Sequence, residues 1–174
     1  MCVAFKRPIC VLVLLSAFAV AACNGRLEHM TFDRAVEDEI YGTLPAAKAL
    51  DMGKSHYREG QFGLAELSFR RAVEQDKGNI EGWLGLAASY DRLRRFDMAG
   101  RAYDVVLKLA GRTPAVLNNL GYHYILRGDR ARARATLEEA LQKDPENQHI
   151  RNNIELITDM RHGGSWSPRV TIAH

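Results

Sequence analysis

Three stretches of the chain can be laid on one another at a spacing of 34 residues, and few folds can be built on such a register. Gly53, Ala87 and Gly121 share one column, and His56, Tyr90 and Tyr124 a second. Ala65, Ala99 and Ala133 fill a third, and Phe69, Tyr103 and Leu137 a fourth. Small and large residues recurring at fixed places predict helix pairs stacked on copies of themselves. The small residue lets two backbones approach, and the large one fills the space between layers. A coiled coil would repeat every seven residues instead, so the period argues for a stacked array.

Local chemistry points the same way. Thr113-Pro114 and Asp144-Pro145 each place an N-capping side chain before a proline at a first helical position, where the missing N–H costs nothing. Gly60 and Gly128 fall where the first helix of a pair should stop, in the left-handed conformation glycine tolerates. Leu64, Leu67 and Ala72, and then Val105 and Leu109, recur at helical steps. No alternating strand pattern appears after residue 46, so the expected class is all-α.

The filled columns resemble the tetratricopeptide repeat. The resemblance spans 46–79, 80–113 and 114–147, with a capping helix at 148–161 and a tail at 162–174. The third unit matches best, with Leu117, Leu120, Gly121, Tyr124, Gly128, Ala133, Leu137, Ala140 and Pro145 at signature positions. The second has Val106 for the usual Ala and Gly111 for the usual Pro; the first has Lys77 where Pro is expected. Asn152-Asn153-Ile154 repeats Asn118-Asn119-Leu120 and then turns polar, as a terminal cap requires. The resemblance implies a scaffold of about three repeats that binds a protein partner and does no chemistry.

Residues 1–22 read as a leader. Lys6 and Arg7 make a positive start, and Ile9 to Ala22 is an apolar run too short to span a bilayer. The run ends Val20-Ala21-Ala22-Cys23, which resembles the bacterial lipobox and implies a lipidated Cys23 as first mature residue. Cys2 and Cys10 lie in the leader, so the mature protein would keep one cysteine and no internal disulfide. Two or three acyl chains, at about 0.8 kcal/mol per buried CH₂, would anchor it permanently. By resemblance to lipoproteins of Gram-negative bacteria, Asn24 after the cysteine implies sorting to the outer membrane over retention at the inner one. Residues 23–45, with Phe32, Val36 and Ile40 at four-residue steps, read either as a cap helix or as a tether.

Lys and Arg number 24 against 21 Asp and Glu. Removing Lys6 and Arg7 takes the net charge from +3 to about +1, so the leader supplies much of the basicity. That near neutrality, with a secretory leader, argues against nucleic acid as a partner. The six histidines show no metal-ligand spacing, and no phosphate loop or nucleophile elbow is present. The expectation is therefore no enzyme, no cofactor and no metal.

In the family, certain positions of each first helix line a concave groove. Carried over, they nominate Lys54, Tyr57, Leu84, Asp91, Asn118, Tyr122 and Ile125, then Asn152 and Leu156 in the cap. The columns through which chaperone-binding members grip a terminal carboxylate hold Leu50, Gly85 and Ala115, so that grip is not expected. Arg92, Arg94 and Arg95, and then Arg127, Arg130, Arg132 and Arg134, cluster at successive turns. They read as a solvated edge or as a contact for an anionic surface. A lipobox, three repeats and the Asn-rich stretches also resemble the small tetratricopeptide lipoproteins of Tad pilus loci and, less closely, type IV pilotins. That likeness implies a role in secretin assembly; a scaffold for cell-wall hydrolases or a periplasmic protease is the alternative.

Overall fold

A computed structural model of the chain describes residues 44–159; they belong to a unit that begins at Leu44, apart from Met1–Thr43. The leader, Cys23, all of the 23–45 segment except Leu44 and Pro45, and the 162–174 tail lie outside the described residues. Seven helices follow in order: α1 Ala46–Arg58, α2 Phe62–Gln75, α3 Ile80–Arg92, α4 Phe96–Ala110, α5 Pro114–Leu126, α6 Arg130–Lys143 and α7 Gln148–Asp159. No strand occurs among the described residues, and the fold is an all-α array of three helix pairs and a terminal helix. None of these helices is long and apolar enough to cross a membrane.

Each pair turns at one place and by one device. The N–H groups of Gln61, Arg95 and Asp129 reach back to the carbonyls of His56, Tyr90 and Tyr124, at 2.8, 2.8 and 2.9 Å. Closing that loop requires a left-handed residue just before the donor. Gly60 and Gly128 supply it, with φ of 77° and 80°, as their spacing predicts. Arg94 holds the middle position at φ 58°, and it is the one non-glycine among the described residues with positive φ.

Helix starts follow the sequence in part. Thr113 caps α5, its Oγ1 accepting from the Val116 N–H, with Pro114 at the first position. Asp144-Pro145 does not start a helix, which corrects the expectation from that dipeptide. Asp144 instead closes α6, and its carboxylate accepts from the side-chain amide of Asn147. Asn147 is the cap of α7, accepting from the N–H groups of His149 and Ile150.

The small and large columns meet as the register requires. A β-carbon on Gly53 would lie 2.7 Å from the Phe69 ring, and one on Gly121 would lie 2.5 Å from Leu137. Ala65, Ala99 and Ala133 are fully buried, as are Ala72, Val106 and Ala140. The apolar interior divides in two. One cluster runs from Tyr57 through Phe69, Leu86 and Tyr103 to Leu120, and the other joins Leu117, Ile125, Leu137, Ile150 and Ile157.

Odd-numbered helices touch their odd-numbered successors, α1 to α3, α3 to α5 and α5 to α7, whereas even-numbered helices make no comparable contact with one another. Neighbouring layers are thus closer along the odd row, which makes it the inner face of the array. The seams also differ: α2 packs tightly on α3, while α4 approaches α5 much less closely.

Candidate functional site: the inner face

The inner face is built from α1, α3, α5 and α7. Of the nominated groove residues, Lys54, Leu84, Tyr122, Asn152 and Leu156 keep surface there. Lys54 ties α1 to α3, its Nζ lying 2.7 Å from a Glu81 carboxylate oxygen. Asn152 is exposed, and its side-chain oxygen accepts from Gln148 within α7. Leu84 leans on the first apolar cluster, and Tyr122 and Leu156 on the second.

The structure buries the other nominated residues. Ile125 is 2% exposed and belongs to the second core, leaving it almost nothing to offer a partner. Asn118 is 7% exposed, and its side-chain oxygen accepts from Asn153 at 2.9 Å, so it joins α5 to α7. Tyr57 and Asp91 are buried as well. The column of Tyr57, Asp91 and Ile125 lies near the end of each inner helix, where the chain folds back. Tyr57 accordingly packs edge-on against Phe62, with ring centroids 5.2 Å apart.

Asp91 heads a polar group that the column reading did not single out. Its Oδ1 lies 2.6 Å from Nδ1 of His123, and its Oδ2 accepts from the Tyr103 hydroxyl at 3.2 Å. Both side chains of the Asp91–His123 pair are almost wholly buried. The imidazole is packed against the Tyr103 ring at 5.2 Å and the Tyr124 ring at 5.5 Å. Burial pushes the Asp91 carboxyl up from its ordinary value, and its bonds to His123 and Tyr103 oppose that rise. The register held a signal for this group. His123 follows Ser55 and Ser89 in its column, and Asp91 stands between Tyr57 and Ile125. Two misfits in adjacent repeats, one anionic and one able to donate, satisfy each other.

Above this group, at the end of α3, sits Arg92. Its guanidinium lies 4.4 Å from the centroid of the Phe62 ring, a cation–π distance. It also donates a hydrogen bond to the Tyr57 hydroxyl. Burial pushes the Tyr57 phenol up to about 12 and raises the Tyr122 phenol, with Arg92 opposing both shifts. Both hydroxyls therefore keep their protons at neutral pH and can donate.

Most other arginines at the turns are already engaged. Arg95 pairs with Glu66 at 2.6 Å, Arg132 with Asp129 at 2.6 Å and Arg134 with Glu138 at 3.5 Å. Arg94 lies over Phe96. The edge is thus laced with internal contacts. Among the described residues, no group of three or more His, Cys, Asp or Glu could hold a metal ion.

Residues 50–114 and 114–147 each match the tetratricopeptide repeat. The first such domain of human RPAP3 is similar in fold, with a TM-score of 0.61 at 18% identity over 68% of this chain and 93% of that one. The first such domain of Spaghetti, solved with an HSP90 peptide, aligns with a TM-score of 0.59 at 18% identity, covering 67% and 93% of the two chains. The type III secretion chaperone SycD of Yersinia enterocolitica, solved with a peptide of the translocator YopD, gives 0.56 at 16%, covering 66% and 93%. None of the curated proteins matches the chain.

Proposed function

The chain belongs to the tetratricopeptide-repeat family, with repeats matched across residues 50–147, and on that premise we propose that it is a non-catalytic scaffold holding an extended segment of a protein partner along its inner face. The observation that carries this reading is the row of inner helices that keeps Lys54, Leu84, Tyr122, Asn152 and Leu156 at the surface. An aromatic ring and aliphatic side chains supply area, while amide and ammonium groups can pair with a peptide backbone. SycD and Spaghetti, which share the fold, were each solved with a peptide.

The finer part of the proposal rests on the first 23 residues. Val20-Ala21-Ala22-Cys23 makes the chain a lipoprotein anchored through Cys23, and Asn24 sends it to the outer membrane, facing the periplasm. There it assists pilus assembly in the manner of a pilotin, holding a secretin segment while its acyl chains carry the pair to the membrane.

A photo-crosslinking amino acid in place of Tyr122, in intact cells, tests both levels. The expected adduct is a secretin or pilus subunit, found in the membrane fraction and lost to the soluble fraction in Cys23→Ala. A cell-wall hydrolase or protease in the adduct would replace the pilotin role with that of an adaptor. A folded protein that gives no adduct would overturn the use of the inner face.

A further inference from the structure

We propose that the edge of the array where the helices of each pair turn back is a docking surface for an anionic phospholipid bilayer, met through Arg58, Arg94 and Arg127. This surface is distinct from the inner face, and its use does not depend on acyl chains at Cys23. It sets how the array lies against a membrane.

Charge divides unevenly between the two ends of the helices. Residues 55–65, 89–99 and 123–133, which close the three pairs, hold seven arginines against four carboxylates. Residues 71–81, 105–115 and 139–149, at the opposite ends, hold five lysines and arginines against six carboxylates. Of the four carboxylates at the turns, Asp91 is buried with His123, and Asp129 pairs with Arg132 at 2.6 Å. Arg95 pairs with Glu66, also at 2.6 Å. Arg58, Arg94 and Arg127 are exposed, and none has a carboxylate within 4.0 Å among the described residues.

These three arginines stand one on each of three successive turns. α1 touches α3 and α3 touches α5. Helices in contact lie about 8–10 Å apart, so the row spans roughly 20 Å. The N–H groups of Gly60, Arg94 and Gly128 are already bonded to the carbonyls of Tyr57, Asp91 and Ile125, so the turns offer a peptide backbone no donor at those positions. What the edge presents is a line of guanidiniums, each a fork of donors that matches a phosphate. A bilayer offers phosphates repeatedly and lets them move to meet each cation. An acidic protein would need its carboxylates set at this spacing. The helices meet that plane by their ends, so the inner face stays open to a partner.

The test lets the full chain distribute at equilibrium between two vesicle populations, one of phosphatidylcholine and one that also holds phosphatidylglycerol. The two are then separated and assayed for protein. Residues 1–43 are the same in every variant, so differences between variants report the array. The wild type should favour the anionic vesicles, and less so as salt rises. Arg58→Gln, Arg94→Gln and Arg127→Gln together should lower that preference roughly tenfold to a hundredfold, since each basic side chain near such a surface is worth about fivefold. Lys48→Gln, Lys77→Gln and Lys108→Gln together remove the same charge from exposed positions at the opposite end and should change it little. Equal melting temperatures of the variants keep a folding defect from imitating the result. Equal losses in the two triple variants would reduce the effect to net charge and overturn the edge. An undiminished preference in the arginine variant also overturns it, and would leave the row to an acidic protein partner instead.

Discussion

The two seams between repeats use the same column in opposite ways. At the first, Phe69 of α2 enters a slot between two glycines: β-carbons on Gly53 and Gly85 would lie 2.7 and 2.5 Å from its ring. Backbone meets ring, and α2 and α3 close tightly. At the second, the equivalent aromatic is Tyr103, whose hydroxyl reaches Asp91 while His123 packs on its ring. There α4 and α5 stay farther apart, and a buried polar group lies between the two apolar clusters. Dispersion holds one joint through many weak contacts, and hydrogen bonds hold the other through a few directional ones. A repeat array can therefore keep its period and still change the physics of each joint.

The largest effect should come from breaking the second joint at one atom. His123→Leu would leave Asp91 buried with Tyr103 as its remaining hydrogen-bond partner, at a cost of about 3–5 kcal/mol. Adding Asp91→Leu should recover much of that loss, because the charge left behind is then gone. If the double variant is as unstable as the single, packing holds the joint and the comparison fails. The pH dependence gives a second reading. Burial already raises the Asp91 pKa above 3.8, so the stability this group contributes is complete below that value and is lost as pH rises through the folded pKa. Removing His123, which opposes the rise, lifts the folded value further. The deficit of His123→Leu, measured by urea unfolding of the full chain, should thus grow from acid toward neutral pH. Tyr103, Tyr57, Tyr122 and Arg127 are the other titratable groups close to Asp91, and both proteins retain them.

The first joint should break by volume instead. Gly85→Ala places a methyl within the Phe69 ring, and Gly53 blocks retreat on the other side. Overpacking of this kind costs about 1–3 kcal/mol. Phe69→Leu, smaller and more flexible, should absorb the methyl, so that the pair together cost less than the sum of the single changes. Additive losses in thermal unfolding would mean that the ring has somewhere to go. The seam would then be less tightly filled than the two glycine slots imply.

Much of this was legible in the register. The glycine and alanine columns face their large partners, Gly60 and Gly128 turn left-handed, and Thr113 caps α5 as its sequence predicts. The failures share a cause, for each depended on which of two neighbours a side chain would meet. Asp144 and Asn147 are both capping residues three apart, and sequence does not say which one faces the helix N–H groups. Asn118 meets Asn153 instead of a partner, and Ile125 meets the core. The Asp91–His123 pair was written in the register as two misfits, but its meaning required knowing that α3 lies against α5. Arg92 stood among turn arginines in the sequence, and its packing on Phe62 became legible only in the structure.

The smallest predicted effect tests whether the turn between the helices of each pair is as uniform as its hydrogen bonds. Arg94 occupies the left-handed position that Gly60 and Gly128 hold in the other pairs. That conformation costs a non-glycine residue about 1–2 kcal/mol. A cation–π contact with Phe96 at 5.4 Å returns about 0.5–1 kcal/mol at an exposed site. Glycine's extra freedom in the unfolded chain removes a similar amount from any gain. The terms nearly balance, so Arg94→Gly should stabilise the full chain by no more than about 0.5 kcal/mol. Gly128→Arg, which has no contact of this kind waiting for it, should destabilise by about 1 kcal/mol. Melting temperatures of the two variants decide the matter. A clear loss in Arg94→Gly would mean that the arginine is kept at this turn for its contact with Phe96, and that the middle pair, like the seam beside it, is held by a specific polar side chain where its neighbours rely on backbone.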